Sequence, residues 1–417
     1  MTTAPPSPTA YAALQVPDFR LYLLGRFCMI AALEMLFTIM GWQIYAVTKN
    51  PLALGYIGLA EALPFIITSL YSGHLADNYN RKKIIAIFSV FLLSLCALLG
   101  YTNRVHTEWL QAHIESSFYG VIFLIGMARG FMAPSISSLM PNILPRDLYV
   151  NGASWNSNGW HTAAIGGPAI GGLIYGFWGA DVAYLAVVIL LCFSLSLFLG
   201  VRYRPNTSRS KRDPVWLSLR EGANFVYSQP ILLGSISLDM FAVLFGGAVA
   251  LLPIFASDVL HVGPQGLGFL RAAPMVGSIM MGLFLAYRPI SRYAGIKLLA
   301  AVGAFGLCII GFGLSTNFYL SLGLLFLSGV FDNISVVVRS TLLQLLPPDE
   351  MRGRVSALNG IFLGVSNEIG AFESGLAARF LGLVPSVVFG GSMTLVVVAV
   401  AYWAVPSFRN LNLKKLE

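Results

Sequence analysis

Long apolar stretches separated by short polar turns run through almost the whole chain. Twelve of them have the length of a membrane-spanning helix, which needs about 20 mostly apolar residues. They lie at about 19–47, 53–76, 84–103, 118–140, 150–178, 180–201, 231–260, 264–287, 296–316, 317–346, 353–381 and 383–405. This pattern predicts an all-α polytopic membrane protein with twelve transmembrane helices.

The longest polar stretch falls between the sixth and seventh predicted spans and divides the chain into halves. Its later part, Trp216–Val226, has the composition of an amphipathic helix at the membrane surface. The predicted domains are a cytoplasmic tail (1–18), an N-terminal six-helix bundle (19–201), a cytoplasmic central loop (202–229), a C-terminal six-helix bundle (230–405) and a second cytoplasmic tail (406–417).

The two halves resemble each other in sequence. Three matches occur in the same order and at nearly the same offset: Gly58–Pro64 with Gly268–Pro274, Phe123–Gly126 with Phe326–Gly329, and Leu144–Asp147 with Leu346–Asp349. Both copies begin on the same side of the membrane, so the repeat is parallel. Transporters built from two such six-helix, pseudo-symmetric halves place the substrate cavity between them.

Composition and charge exclude a soluble globular protein. Hydrophobic residues make up 57% of the 417 residues and charged residues only 11%, against about 25% charged in soluble proteins. The formal net charge is +8, but the basic residues lie in short loops and predict topology rather than nucleic-acid binding. The externally placed segments contain only Lys49, Arg104 and Arg379. We therefore expect a multi-pass protein of the cell inner (cytoplasmic) membrane with both termini in the cytoplasm.

A charged turn separates the second and third predicted spans. Gly73 and Asp77 end one apolar run, and Arg81, Lys82 and Lys83 begin the next. Glycine allows close helix packing, the acid can accept hydrogen bonds from a neighbouring helix N-terminus, and the basic residues hold the turn on the cytoplasmic face. The pattern resembles the signature between the second and third helices of the major facilitator superfamily of transporters.

A second signature lies in the fifth span. Gly167, Pro168, Gly171 and Gly172 resemble the antiporter motif of exporters in this superfamily. Its glycines let a facing helix approach, and its proline bends the helix. The family has another glycine where this chain has Ala163, which is also small.

The fourth span contains Arg129 near mid-membrane. It resembles the buried arginine of the superfamily's third signature, which the family links to proton transfer. Over nearly its full length the chain is similar to the enterobactin-exporter-like branch, which also includes macrolide-efflux relatives. That resemblance implies a proton-driven secondary transporter that exports a siderophore or an amphipathic small molecule by alternating access. A general multidrug efflux antiporter and a proton-coupled importer are the alternatives.

Ionisable residues deep in spans are costly and are therefore candidates for function. The proton-coupling candidates are Glu34, Arg129, Asp332 and Glu368. Glu34 comes first, because a carboxyl group about midway along the first span can bind and release a proton within the membrane.

Charge pairs are the second group of candidates, with Glu61, Arg271 and Asp239 as members. Glu61 and Arg271 occupy matching repeat positions with opposite signs. We expect such residues to approach across the cavity and to change partners during transport. A fixed structural bridge is the alternative.

Aromatic side chains provide the substrate-cavity candidates Trp42, Tyr45, Trp155 and Trp160, which lie on spans that face the cavity in this family. Aromatic walls suit a catechol ring or a planar drug. Packing or an interfacial belt is the alternative for each.

Other classes of function lack their motifs. The sequence has no phosphate-binding loop of an ATP-driven pump and no zinc-protease or serine-hydrolase motif, so neither a pump nor an enzyme is predicted. The four cysteines lie singly in separate apolar runs, which predicts neither disulfides nor a metal site. We expect no cofactor, a proton gradient as the energy source, and a monomer whose partners are a small-molecule substrate and the lipid bilayer.

Overall fold

A computed structural model describes residues 11–105, 114–145, 148–202, 215–288, 290 and 292–413. Within these residues nearly everything is helical and no β-strand occurs. The predicted all-α fold is confirmed.

The described residues in the first part of the chain form five long helices. They are α1 (Pro17–Thr48), α2 (Pro51–Asn78), α3 (Arg81–Val105), α4 (Ile114–Leu139) and α5 (Tyr149–Gly200). At a rise of about 1.5 Å per residue, the 52 residues of α5 would be far longer than the hydrocarbon core of about 30 Å. Gly179 resolves this excess, because its φ of 83° and ψ of 179° break the helix between the fifth and sixth predicted spans. Glycine takes this conformation without a steric penalty.

Among the described residues of the second part, seven longer α-helices follow. They are α6 (Val215–Ser228), α7 (Pro230–Phe245), α8 (Gly263–Tyr287), α9 (Ala294–Leu314), α10 (Phe318–Leu345), α11 (Asp349–Leu381) and α12 (Leu383–Ala404). The amphipathic stretch expected in the central segment lies in α6. Its Glu221 forms an ion pair with Arg354 of α11.

The seventh predicted span is less regular than its sequence suggests. After α7 the chain passes through a 3-10 turn, a short α-helical turn and a π-helical turn that together cover Gly247–Val259. Gly246 and Gly247 at the start of this segment weaken the helix, and Pro253 lacks the N–H group that a regular helix needs.

Ten helical segments among the described residues are long and apolar enough to cross a membrane. One of them, Asn151–Gly200, contains both spans on either side of Gly179. Helix α11 is not among the ten; it is less apolar than they are and carries seven ionisable residues: Asp349, Glu350, Arg352, Arg354, Glu368, Glu373 and Arg379. Counting α11 and the two parts of α5 accounts for the twelve predicted spans.

The helices form two compact units. The first contains the described residues of Met1–Met40 and Leu63–Ser210, and the second those of Gly41–Ala62 and Lys211–Glu417. In the first unit α3 packs against both α4 and α5; in the second, α10 packs against α8 and α9, and α9 also packs against α12. The domain limits drawn from the sequence stay a prediction.

Equivalent helix contacts recur in the two units. In the first, Gly130 of α4 leaves room for Thr68 of α2, whose Oγ1 donates to the carbonyl of Met127 at 3.2 Å. In the second, Asn333 of α10 donates to Ser278 of α8 at 2.9 Å. Thr68 corresponds to Ser278, and Gly130 to Asn333, in the alignment of the sequence repeat. The duplicated segments therefore pack in the same way.

Candidate functional site

The glycine motif of α5 lies directly on α1 beside Glu34. A Cβ atom on Gly167 would stand 2.7 Å from the carbonyl oxygen of Ala31 and 2.9 Å from the Cβ of Glu34. A Cβ on Gly171, one helical turn further, would stand 2.9 Å from the Cα of Met35. Only glycine fits at these two positions, so the motif brings the α5 backbone against the acid that the sequence singled out. Pro168 and Gly172 lie beside them in α5.

Arg129 lies between aromatic rings of two other helices. The guanidinium carbon is 5.9 Å from the ring centroid of Phe37 in α1 and also 5.9 Å from that of Phe65 in α2. Such cation–π contacts stabilise a cation by about 0.5–2 kcal/mol each. Arg129 was predicted as a functional residue from the sequence, whereas the rings of Phe37 and Phe65 were not.

Glu34 and Arg129 belong to one neighbourhood in the first unit. Phe37, which contacts Arg129, follows Glu34 by three residues, and residues with this spacing share a helix face. Three positions along a helix correspond to about 4.5 Å of rise. The acid, the base and Gly167 therefore cluster where α1, α2, α4 and α5 meet.

The basic residues of the charged turn cap two helix ends. Arg81 Nη1 donates to the carbonyl of Ser138 at 3.1 Å, next to the last residue of α4. Lys82 Nζ donates to the carbonyl of Val201 at 3.0 Å, just beyond α5. Cations stabilise helix C-termini because unpaired carbonyls and the helix dipole give those ends a partial negative charge. The surroundings of the other two motif residues, Gly73 and Asp77, lie outside the described part of the structure.

Tyr45 takes part in a polar cluster in the second unit. Its phenol donates to Asp258 Oδ2, and Lys49 Nζ lies 3.6 Å from Oδ1 of the same carboxylate. Lys49 also donates to Ser257 at 3.3 Å and stands 5.1 Å from the centre of the Tyr45 ring. The ring of Tyr45 is buried, and its hydroxyl group already donates a hydrogen bond to Asp258. The role of Tyr45 in a substrate cavity stays a prediction.

The other three aromatic candidates make packing contacts. Trp42 packs against a buried apolar cluster of the second unit. The ring of Trp155 lies 5.9 Å from that of Tyr11, and Trp160 makes an edge contact with His161 at 4.9 Å. These contacts agree with the packing alternative, and a substrate contact for each residue stays a prediction.

Glu368 lies against α2 in the second unit. A Cβ on Gly58 would stand 3.0 Å from the carbonyl oxygen of Glu368 and 3.2 Å from its Oε2. Glu61 follows Gly58 by three residues and is buried. Arg271, its expected partner, is in α8 of the same unit. The pairing of Glu61 with Arg271 stays a prediction.

Asp239, a charge-pair candidate, forms a buried ion pair with a partner that was not predicted from the sequence. Its carboxylate contacts the guanidinium of Arg339, and the two side chains are 8% and 5% exposed. Arg339 is one of the ionisable residues in an apolar span, and that placement was the only signal in the sequence. Asp332 precedes Arg339 by two helical turns on α10.

The comparisons with known proteins agree with this architecture. The family model of the Major Facilitator Superfamily matches residues 22–371. The enterobactin exporter EntS of Shigella dysenteriae serotype 1 is 26% identical over 351 residues, which cover 82% of this chain and 80% of that protein. The enterobactin exporter EntS of Escherichia coli O1:K1 has the same identity and coverage.

Solved transporter structures have the same fold. A D-xylose-proton symporter superposes with a TM-score of 0.70 at 12% identity and covers 96% of this chain and 100% of its own. A bacterial homolog of the human lysosomal transporter Spinster, in an inward-facing and occupied conformation, gives 0.67 at 16% identity and covers 98% and 99%. At such low identity these likenesses show the fold and not the substrate.

Proposed function

Since this chain belongs to the major facilitator superfamily, we propose that it is a proton-coupled exporter of a siderophore or a similar amphipathic small molecule. It is a multi-pass membrane transporter and not an enzyme. The proposal concerns its substrate, its direction, its coupling ion and its placement in the inner membrane.

The contact between the glycine motif and Glu34 carries the proposal. Gly167 and Gly171 bring α5 against α1 at the level of this acid, and the motif resembles that of superfamily exporters. Its place beside a membrane-embedded carboxyl group links helix packing to proton binding. The similarity to curated enterobactin exporters supports a catecholate substrate.

We assign complementary roles to the acid and the base of this cluster. Glu34 takes up a proton when its side of the membrane is acidic, and it releases the proton when α1 moves relative to α5. Arg129, held over the rings of Phe37 and Phe65, provides the positive charge that stabilises the ionised acid. Asp332 and Glu368 are the further proton-coupling candidates, both in the second unit.

Transport into proteoliposomes under an imposed pH gradient tests the proposal. A catecholate siderophore and a lipophilic cationic drug are compared with the unmodified protein and with Glu34→Gln. Glu115→Gln is the matched control, because Glu115 is exposed at the start of α4. We expect siderophore to exchange against protons, with at least a tenfold loss in Glu34→Gln and none in Glu115→Gln.

The other outcomes separate the alternatives. Gradient-driven movement of the drug alone identifies a multidrug antiporter with the same mechanism. Movement of substrate together with protons identifies an importer. Transport that ignores the gradient, or that is unchanged in Glu34→Gln, contradicts the assignment of that acid.

We also propose that the protein is a monomer with both termini in the cytoplasm. The excess of basic residues in the loops on the same side as the termini, including Arg81 and Lys82, supports this orientation. Reporter fusions at each terminus test the orientation, and native mass spectrometry of the purified protein tests the monomer.

A further inference from the structure

A small cavity lies inside the second unit, between α7, α9 and α10. Its volume is about 20 Å³, which is enough for one water molecule. The lining residues are Asp239, Ala242 and Val243 of α7, Val302 and Phe305 of α9, and Asp332 and Ser335 of α10. Its three polar lining residues are the acids Asp239 and Asp332 and the hydroxyl-bearing Ser335.

Asp239, which lines this cavity, forms an ion pair with Arg339 of α10. Both side chains are almost fully buried. Side chains on a helix lean toward its N-terminus, and positions seven residues apart lie on the same face. Arg339 therefore leans back along α10 toward Ser335 and Asp332. Its guanidinium contacts the carboxylate of Asp239, and Arg339 lies on the face of α10 that carries Asp332.

The cavity has two acidic side chains, but only one of them is paired with a positive charge in the described part of the chain. The carboxyl groups of Asp239 and Asp332 line it, and among the described residues only Asp239 of these two acids forms an ion pair, with Arg339. Among the described residues, Asp332 makes no hydrogen bond or ion pair, and neither does the hydroxyl group of Ser335, a residue that is 3% exposed. Asp332 lies midway along α10, where an unpaired carboxylate is costly in a membrane. A bound cation would remove that cost.

Other ionisable groups on the helices that pack against α10 do not line the cavity. Asp239 is the one ionisable residue that α7 contributes to the lining, and α9 contributes the apolar Val302 and Phe305. The ionisable residues elsewhere on α8, α9 and α11 are Arg271, Tyr287, Lys297, Cys308, Asp349, Glu350, Arg352, Arg354, Glu368, Glu373 and Arg379. The charge balance of the cavity therefore depends on Asp239, Asp332 and Arg339.

A proton suits this cavity better than a metal ion. Hard metal ions take about six or more oxygen ligands, whereas the cavity offers two carboxyl groups and one hydroxyl, and Arg339 already engages one carboxyl. We infer that Asp332, together with Ser335 and the Asp239–Arg339 pair, forms a proton-binding site in the second unit.

The site links proton binding to the contact between α7 and α10. With the proton on Asp332, the cluster is neutral and Arg339 pairs with Asp239. When the O–H bond breaks, the proton passes to water and the electron pair stays on the Asp332 carboxylate. Arg339 is then shared between two carboxylates, which weakens its hold on Asp239 in α7. This inference deepens the proposed function by adding a second proton site, and binding at that site can be measured without transport.

Infrared spectroscopy of the purified protein in lipid nanodiscs tests the site. A protonated carboxyl group gives a C=O stretching band that disappears as the pH rises. We expect Asp332→Asn to remove one titrating band, and Ser335→Ala to keep that band but shift its frequency. Glu373→Gln is the matched control, because Glu373 is also a partly buried acid of the second unit and does not line the cavity. It should leave the Asp332 band in place.

Each outcome decides a separate point. Identical titrations in the unmodified protein, Asp332→Asn and Ser335→Ala would overturn the site, even if transport is proton-driven. Loss of the Asp332 band on adding NaCl but not choline chloride at constant pH would replace the proton with sodium and also overturn the inference. A titrating Asp332 band in a protein that fails the gradient assay would keep the site and remove the proposed function. Thermal unfolding of each variant shows that it is folded.

Discussion

The phenol of Tyr45 and the carboxylate of Asp258 are joined by a hydrogen bond, and Lys49 stands 3.6 Å from the same carboxylate. The hydrogen bond connects the C-terminal part of α1 to the π-helical turn that follows α7. The two interactions differ in environment. Tyr45 is buried, whereas the side chains of Lys49 and Asp258 are 58% and 44% exposed.

We therefore expect Tyr45→Phe to destabilise the protein more than Lys49→Gln does. A hydrogen bond to a charged acceptor contributes about 1.5–3 kcal/mol, and an exposed ion pair less than about 1 kcal/mol. Unfolding in detergent at increasing denaturant measures both changes. Added salt should shrink the effect of Lys49→Gln but not that of Tyr45→Phe. Tyr101→Phe, at an exposed phenol, is the control and should be neutral.

The glycine motif allows a second prediction. Gly167→Ala places a Cβ within 2.7 Å of the Ala31 carbonyl oxygen, so α5 and α1 must separate, at a cost of about 1–3 kcal/mol. Gly120→Ala is matched in chemistry but meets nothing within 4 Å. It should be neutral or stabilise α4 by up to about 1 kcal/mol. We expect transport to fall only in Gly167→Ala, and equal losses in both variants would argue against the packing role.

The contacts of Arg81 and Lys82 with helix C-termini allow a third prediction. Arg81→Gln and Lys82→Gln each remove a cation from a helix C-terminus, where such a charge contributes about 0.3–1 kcal/mol. Lys83→Gln changes the next residue, for which the structure gives only a contact of its backbone N–H with Asn80. The expected result is a lower midpoint of thermal unfolding for the first two variants and an unchanged one for the third. A similar loss in all three would indicate a general effect of loop charge.

The sequence predicted helices and motifs better than it predicted contacts. Span positions follow from hydropathy alone, because every backbone group in a bilayer must be satisfied within its own helix. Glu34 and Gly167 were both identified, but their contact depends on how two helices pack, which the periodicity of neither helix encodes. The break at Gly179 was placed correctly because a small turn residue interrupts the apolar pattern there.

The polar interior of the second unit was the hardest part to predict. Asp239 was identified as a charge-pair candidate, but its partner, Arg339, is 100 positions away on another helix. Ser335 had no signal at all, because a serine in a membrane helix is usually satisfied by its own backbone. Only the packing of α7, α9 and α10 shows that Asp239, Asp332 and Ser335 line one cavity.

That cavity allows the last prediction, on the stability of the buried ion pair. Removing one partner of such a pair usually costs about 3–5 kcal/mol, because the other charge remains buried. Here Asp332 borders the same cavity as Asp239, so Arg339 has a second carboxylate within reach. We therefore expect Asp239→Asn alone to cost less than this range, and Asp239→Asn with Asp332→Asn to cost more than the sum of the two single changes.

A double-mutant cycle measured by denaturant unfolding at neutral pH checks this coupling. The control replaces the pair with apolar residues, Asp239→Leu with Arg339→Met, a change that is often neutral for a buried pair because no charge is left behind. Additive costs for the two asparagine variants would mean that Asp332 does not compensate Arg339. A lower pH should also remove the coupling, because a protonated Asp332 can no longer take the place of Asp239 as the partner of the guanidinium.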